Sequence, residues 1–119
     1  MYFFDTYAVI EMHLANPNYE SFSNYPIIIS DLNIGEIYLF LVRNYGKSVA
    51  LELLSGYSFK IASLSSELVI EAADFKFKHK EKRLSWADCI GYVVSRQQNL
   101  LFLTGDIQFR GMPDVEFVK

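Results

Sequence analysis

The stretch Leu100-Leu101-Phe102-Leu103-Thr104-Gly105-Asp106 decides the fold. Four consecutive apolar residues, too short for a helix and bounded by a Thr-Gly turn, read as a strand buried on both faces. Such unbroken runs belong inside parallel sheets, because the helices of βα units cover both sides. Working outward, the same pattern recurs. Tyr2-Phe3-Phe4 is a short buried strand stopped by Asp5-Thr6, and Ile27-Ile28-Ile29 is three β-branched residues after Pro26, ended by Ser30-Asp31. Phe59 to Ala62 and Val115 to Val118 are two further short strands. Between them lie amphipathic stretches. Residues 7–14 read as a helix ending at Asn16-Pro17, and residues 32–44 place apolar side chains at 34, 37, 38 and 41. Residues 47–55, 65–78 and 85–97 read as three more helices. Leu68, Ala72 and Phe75 share one face of the fourth helix; Trp86, Cys89, Ile90 and Val93 share the inner face of the last. Residues 18–25 read as a polar stretch dotted with aromatics. This alternation predicts an α/β sandwich with a four- or five-stranded, mostly parallel sheet flanked by helices.

Composition bounds the function. A chain of 119 residues, 51% hydrophobic and 21% charged, is expected to form one domain over 1–119. Surface scaling gives roughly 6,600 Å² folded, about a third of the unfolded value, so a sizeable core forms without staples. So apolar a composition excludes disorder. The single cysteine, Cys89, excludes an internal disulfide framework and fits a reducing compartment. The first twelve residues carry Asp5 and Glu11 and no early base, unlike a signal peptide. No uncharged run approaches the ~20 residues that span a bilayer. The expectation is a cytoplasmic protein with no membrane partner. Eleven bases against fourteen acids, a net charge of −3, argues at first against nucleic acid.

Four acids change that reading. Asp5 follows the first strand, Glu36 lies early in the helix after the second, Asp88 lies in the first turn of the last helix, and Asp106 follows the strand 100–103. In a parallel α/β sheet, strand C-termini and helix N-termini share one edge, and ligands bind there. Converging carboxylates repel by about 4 kcal/mol per pair at 4 Å and an effective dielectric of 20. A divalent cation removes that repulsion. An all-oxygen set without a Cys/His cluster favours Mg²⁺ or Mn²⁺, the ions of phosphodiester chemistry. Each acid also has a local reading. Asp5 fits a helix cap, Ser85-x-x-Asp88 a capping box, and Asp106 a turn. Only Glu36 interrupts an otherwise apolar run.

Together these residues resemble the PIN-domain ribonucleases, and within them the VapC-type toxins. Phe4-Asp5-Thr6 is similar to the opening strand-end motif. Ser30-Asp-Leu-Asn-Ile-Gly-Glu36 is similar to the Ser/Thr-x5-Glu motif, Leu84-Ser85-Trp86-Ala87-Asp88 to the leucine-serine-x-x-aspartate helix start, and Leu103-Thr104-Gly105-Asp106 with Phe109 to the closing Thr-x-Asp-x-x-Phe signature. The resemblance spans nearly the whole chain in order. It implies a PIN-like, Rossmannoid fold, a homodimer, and a Mg²⁺- or Mn²⁺-dependent endoribonuclease acting on single-stranded or structured RNA. It also implies a cognate antitoxin that blocks the site. Carried over, Asp5, Glu36, Asp88 and Asp106 would be the catalytic metal ligands, with Thr6 and Thr104 orienting them. The alternative is a catalytically inactive PIN-like module that binds protein or RNA. A receiver-like phosphoacceptor is disfavoured: Phe59-Lys-Ile-Ala62 offers no strand-end aspartate, and Leu103-Thr-Gly no late lysine.

Lys76, Lys78, Lys80, Lys82 and Arg83 put five of eleven bases into eight residues leading into Asp88. They are candidates for RNA phosphates, or alternatively a solvated helix end favoured by the dipole. Gly46-Lys47-Ser48 is no phosphate loop, since position 41 is leucine. His13 and His79 are isolated, and Cys89 reads as a core residue. Ten Phe, eight Tyr and one Trp are mostly core, with a surplus that fits a dimer or partner surface. Without the four candidate ligands, eleven bases face ten acids, so the acidity is no larger than the proposed site.

Overall fold

Successive residues of a strand point to opposite faces of the sheet, and here both faces need covering. A computed structural model describes all 119 residues. Its strands are β1 (Tyr2–Phe4), β2 (Ile27–Ile29), β3 (Phe59–Ile61), β4 (Leu101–Thr104) and β5 (Val115–Phe117), and its helices α1 (Thr6–His13), α2 (Asp31–Tyr45), α3 (Lys47–Ser55), α4 (Ser66–Lys78) and α5 (Trp86–Gln97). All strand pairs are parallel, in the order β3-β2-β1-β4-β5. Phe3, Ile28 and Phe102 face one side, with Leu68 and Ala72 of α4 and Cys89 and Ile90 of α5. Phe4, Ile29 and Leu103 face the other, with Ala8 and Val9 of α1, Ile37 and Leu41 of α2, and Ala50 of α3. The two faces explain why the strands read as solid apolar runs. The folded surface is 6823 Å², close to the value expected from mass.

The topology fixes where a ligand edge lies. After β1 the chain builds outward through β2 and β3; α4 and α5 then return it to the opposite side of β1 for β4 and β5. The strand order therefore reverses at β1, and the crevice of an open α/β sheet lies at such a switch point. Helix α5 presses close to that centre. A side chain at Gly91 would meet the Phe3 ring at 2.7 Å and the Phe102 ring at 3.1 Å.

Two readings need correction. The polar, aromatic-dotted stretch 18–25, to which the sequence assigns no element, is regular: Pro17–Asn24 forms a 3₁₀ helix, capped by the Asn16 side chain on the Asn18 amide with Pro17 at its first position. Tyr19 and Phe22, three apart, fall on one face of this tighter helix and enter the core. Trp86 is not on the inner face of α5. It opens the first turn beyond the packed core and is 47% exposed, whereas Cys89, Ile90 and Val93 are buried. No helix is long and apolar enough to cross a membrane.

Candidate active site

The register of β1 and β4 builds the centre of the site. Phe4 pairs with Leu103, and the Asp5 amide donates to the Leu103 carbonyl at 3.0 Å, which sets Asp5 beside Thr104. Asp5 is buried, with 2% of its surface exposed. Its Oδ1 accepts from the Thr6 amide at 2.8 Å, capping α1, and its Oδ2 accepts from the Thr104 hydroxyl at 2.7 Å. The Thr104 hydroxyl also accepts the Asp106 amide at 3.0 Å, so one side chain links two of the acids. Gly105 lies between them because nothing larger fits: a Cβ there would strike the Tyr7 ring and the Val118 carbonyl.

Glu36 reaches the same edge from α2. Its Oε1 accepts from the Thr6 hydroxyl at 2.7 Å. The Thr6 hydroxyl in turn accepts from Asn33 Nδ2 at 3.0 Å, and Asn33 Oδ1 accepts from the amide and hydroxyl of Ser30, each at 2.9 Å. This relay from Ser30 through buried Asn33 and Thr6 fixes Glu36. Asn33 escaped the sequence reading. Its signal was its place three residues after a Ser at a helix start, the spacing of a capping box with Asn in the acid's position.

Asp88 and Asp106 are held by the local devices read from the sequence. Asp88 and Ser85 form a reciprocal capping box, with bonds of 2.8 and 3.1 Å. Asp106 caps the 3₁₀ turn Ile107–Phe109 through the Gln108 amide at 3.0 Å. The capping and ligand readings are compatible, because a cap uses one oxygen. Asp88 Oδ1 and Glu36 Oε2 accept no protein hydrogen bond. Since no buried side-chain polar atom lacks a partner, those two oxygens face solvent.

Electrostatics ties the acids together. Burial, then the charges of Asp88 and Glu36, push the Asp5 carboxyl up to about 8 despite hydrogen bonds from Thr104 and Thr6. Burial first, then Glu36 and Asp106, raise Asp88 to about 6 against the opposing Ser85 bonds. The four acids thus face one another across one edge. As the side chains stand, however, no three His, Cys, Asp or Glu close on a single point as a formed metal cage. The donor chemistry fits a hard divalent cation: oxygen only, with two oxygens free and a buried carboxylate whose charge lacks compensation.

The basic run divides. Lys76 donates to the Leu84 carbonyl and Lys82 to the Gln108 carbonyl at 2.6 Å, fastening the loop between α4 and α5. Lys76 and Lys78 also lie in the last turn of α4, where the dipole favours them. Lys80 and Arg83 are exposed. The other candidates stay apart. His13 bonds Tyr45 and His79 packs on Phe75, while burial pushes the Cys89 thiol up to about 11, away from a reactive thiolate.

Fold and site define a class: a parallel α/β domain with carboxylates arrayed along the switch-point edge. The PIN domain family matches residues 2–115, and the chain belongs to that family. Among solved structures, it is similar to a toxin–antitoxin complex from Klebsiella pneumoniae, at 19% identity and a TM-score of 0.74, over 98% of this chain and 96% of that one. It is similar to VapC20 of Mycobacterium tuberculosis, a sarcin-ricin loop cleaving toxin, at 18% identity and a TM-score of 0.74, over 97% and 98%. It is also similar to VapBC2 of Rickettsia felis, bound to a DNA fragment from its promoter, at 16% identity and a TM-score of 0.69, over 99% and 98%. At such identities the likeness is one of fold. No curated protein sequence matches the chain significantly.

Proposed function

We propose that this protein is a divalent-metal-dependent endoribonuclease that hydrolyses RNA phosphodiester bonds, and that it is the toxin of a VapBC-type toxin–antitoxin pair. The observation that carries the reading is Asp5, a buried carboxylate at the sheet's switch point, opposed by two further acids and raised to about 8. Such a carboxylate becomes a stable anion only beside a cation. Asp5, Glu36, Asp88 and Asp106 are the side chains that would hold Mg²⁺ or Mn²⁺. When bound, that ion activates water and offsets charge on the attacked phosphate. Thr104 keeps Asp5 Oδ2 aimed along the edge, and Thr6, itself fixed by Asn33, does the same for Glu36. Thr104 also sets the backbone from which Asp106 projects.

In this reading the enzyme works in the cytoplasm as a homodimer, restrained by a cognate antitoxin protein. Exposed Leu39, Val49 and Leu51 on α2 and α3 support a protein partner. The solved relatives that are toxin–antitoxin assemblies support its kind. The second reading, an inactive module that binds RNA or protein, is favoured by the absence of a closed cage among the acids. One experiment separates the two. Structured RNA is incubated with the protein and Mn²⁺, with EDTA and Glu36→Gln as controls, while melting is followed with and without the ion. Cleavage that both controls abolish, with a melting temperature raised by Mn²⁺, supports the nuclease. Neither effect would leave the binding module.

A further inference from the structure

The loop that fastens α4 to α5 leaves two large aromatic rings in water. Phe77 is 72% exposed and Trp86 47%. They line one shallow pocket of about 390 Å³ together with Lys76, Lys80 and Lys82. The Lys80 ammonium stands 4.8 Å from the Phe77 ring centre and the Lys76 ammonium 5.8 Å from that of Trp86. No acid lines this pocket, and none of the three lysines is ion-paired; the protein's one salt bridge is Arg96 to Asp114. The lysine bonds to the Leu84 and Gln108 carbonyls use one of three ammonium protons each. Trp86 lines a second groove as well, of about 280 Å³, whose wall includes Glu36. A single indole therefore joins a basic aromatic pocket to the carboxylate edge.

An occupant complementary to both features carries flat rings and a row of negative charges on one flexible chain. Single-stranded RNA meets both demands: bases stack on aromatic faces, and lysines track the phosphates. We propose that Trp86 and Phe77 form a base-stacking platform, with Lys76, Lys80 and Lys82 on adjacent phosphates, which seats unpaired nucleotides next to the bond that is cut. The inference rests on the reading of the carboxylate edge as an RNA-cleaving site. It assigns to the neighbouring pocket the choice of unpaired over duplex RNA.

Trp86 is the only tryptophan in the chain, so its fluorescence reports this pocket and the groove beside Glu36. A short oligoadenylate titrated into the full-length Glu36→Gln variant with Mn²⁺ should quench that emission saturably, and a duplex of equal length should do so far less. With a labelled oligoadenylate, Trp86→Leu should weaken binding roughly tenfold, the size of one lost stack, and Trp86→Phe should restore most of it. Lys80→Gln should lower the slope of log affinity against log salt by about 0.7, one single-strand phosphate contact. In cleavage, Trp86→Leu should raise KM and leave kcat nearly unchanged. Oligoadenylate that binds without altering Trp86 emission, or that binds Trp86→Leu as tightly, overturns the platform. So does an emission that responds only to a protein partner, which would make the pocket a docking face. If the wild type cuts structured RNA while Trp86 stays silent, the platform fails and the nuclease stands. If Trp86 is quenched and no metal supports cleavage, hydrolysis fails and the platform stands.

Discussion

Replacing Asp5 by asparagine isolates the electrostatics of the site from its chemistry. The folded protein keeps the Asp5 proton up to about pH 8, because burial and then the Asp88 charge oppose ionisation, whereas the free side chain releases it near 3.8. Between those values the folded chain binds more protons than the unfolded chain, so stability falls as pH rises. The contribution is complete below about pH 4 and gone above about pH 8. At about 1.4 kcal/mol per pH unit, ionisation up to pH 7 sets a ceiling of about 4 kcal/mol on the loss. Asparagine removes the charge. Its Oδ1 still accepts the Thr6 amide, but its amide group faces a Thr104 hydroxyl that was a donor. That mismatch takes back about 1–2 kcal/mol. A net gain of about 2 kcal/mol at pH 7 corresponds to a melting temperature about 8 °C higher for a domain of this size. At pH 4 the gain disappears and only the mismatch remains, so the variant becomes the less stable protein. Thermal melts of both proteins in EDTA, from pH 4 to pH 8, test this directly. With Mn²⁺ the order at neutral pH narrows or reverses, since only the wild type regains its counter-ion. A stability difference that does not change with pH would refute the reasoning.

Three further outcomes follow from the same geometry. Glu36→Gln keeps the Thr6 bond through the amide oxygen and lifts one share of the repulsion on Asp5 and Asp88, so the melting temperature near neutral pH should not fall; RNA cleavage, read on a gel, should drop at least about 100-fold for a lost electrostatic group. Thr104→Val conserves shape but strips the donor from buried Asp5 Oδ2 and the acceptor from the Asp106 amide. Urea unfolding near pH 5 should show a loss of about 1–3 kcal/mol. Gly105→Ala forces a methyl into the Tyr7 ring and the Val118 carbonyl, and the same assay should show about 1–3 kcal/mol of overpacking loss.

How much of this was legible depends on which physics wrote each element. The three central strands read cleanly because burial on both faces leaves them almost wholly apolar, whereas the edge strands carry Lys60 and Glu116. Tyr2–Phe4, Ile27–Ile29 and Leu101–Thr104 fall within a residue of their expected places. The α3 and α4 helices read equally well, the latter through the face of Leu68, Ala72 and Phe75, and the structure adds the Ser65 cap on the Leu68 amide. The 3₁₀ helix is not legible by helical periodicity because its apolar residues, Tyr19 and Phe22, repeat at three rather than at three and four. Trp86 was misplaced because helical periodicity gives a direction and not a depth. Trp86 shares the helical spacing of Ile90 and Val93, yet in the first turn of α5 it leaves the packed core and stands 47% exposed. The relay through Asn33 could not be read, since it joins Ser30 to Thr6 across segments that only the fold brings together.

The four acids show why the local and the functional readings of a residue need not compete. Asp5, Asp88 and Asp106 each begin a helix or a 3₁₀ turn, and in a parallel sheet those beginnings are the ligand edge. A cap fixes the carboxylate at its backbone position with one oxygen and leaves the orientation of the other to its neighbours. At Asp5 the neighbour is Thr104 and at Asp106 the Gln108 side chain, while at Asp88 the second oxygen has no protein partner. The capping bonds are therefore the means by which three charged side chains are held at one edge, and Glu36, which caps nothing, requires the Thr6–Asn33–Ser30 relay instead. The same arrangement explains the acidity of the chain. A formal charge of −3 is not spread evenly but gathered where burial raises Asp5 and Asp88 toward neutrality, beside a lysine pocket that holds no acid. An anionic strand laid across Trp86 would meet cations on one side and carboxylates on the other. Its phosphate can approach those carboxylates only once a cation has joined them, so RNA affinity should rise steeply with Mn²⁺ in the wild type and barely in Asp5→Asn.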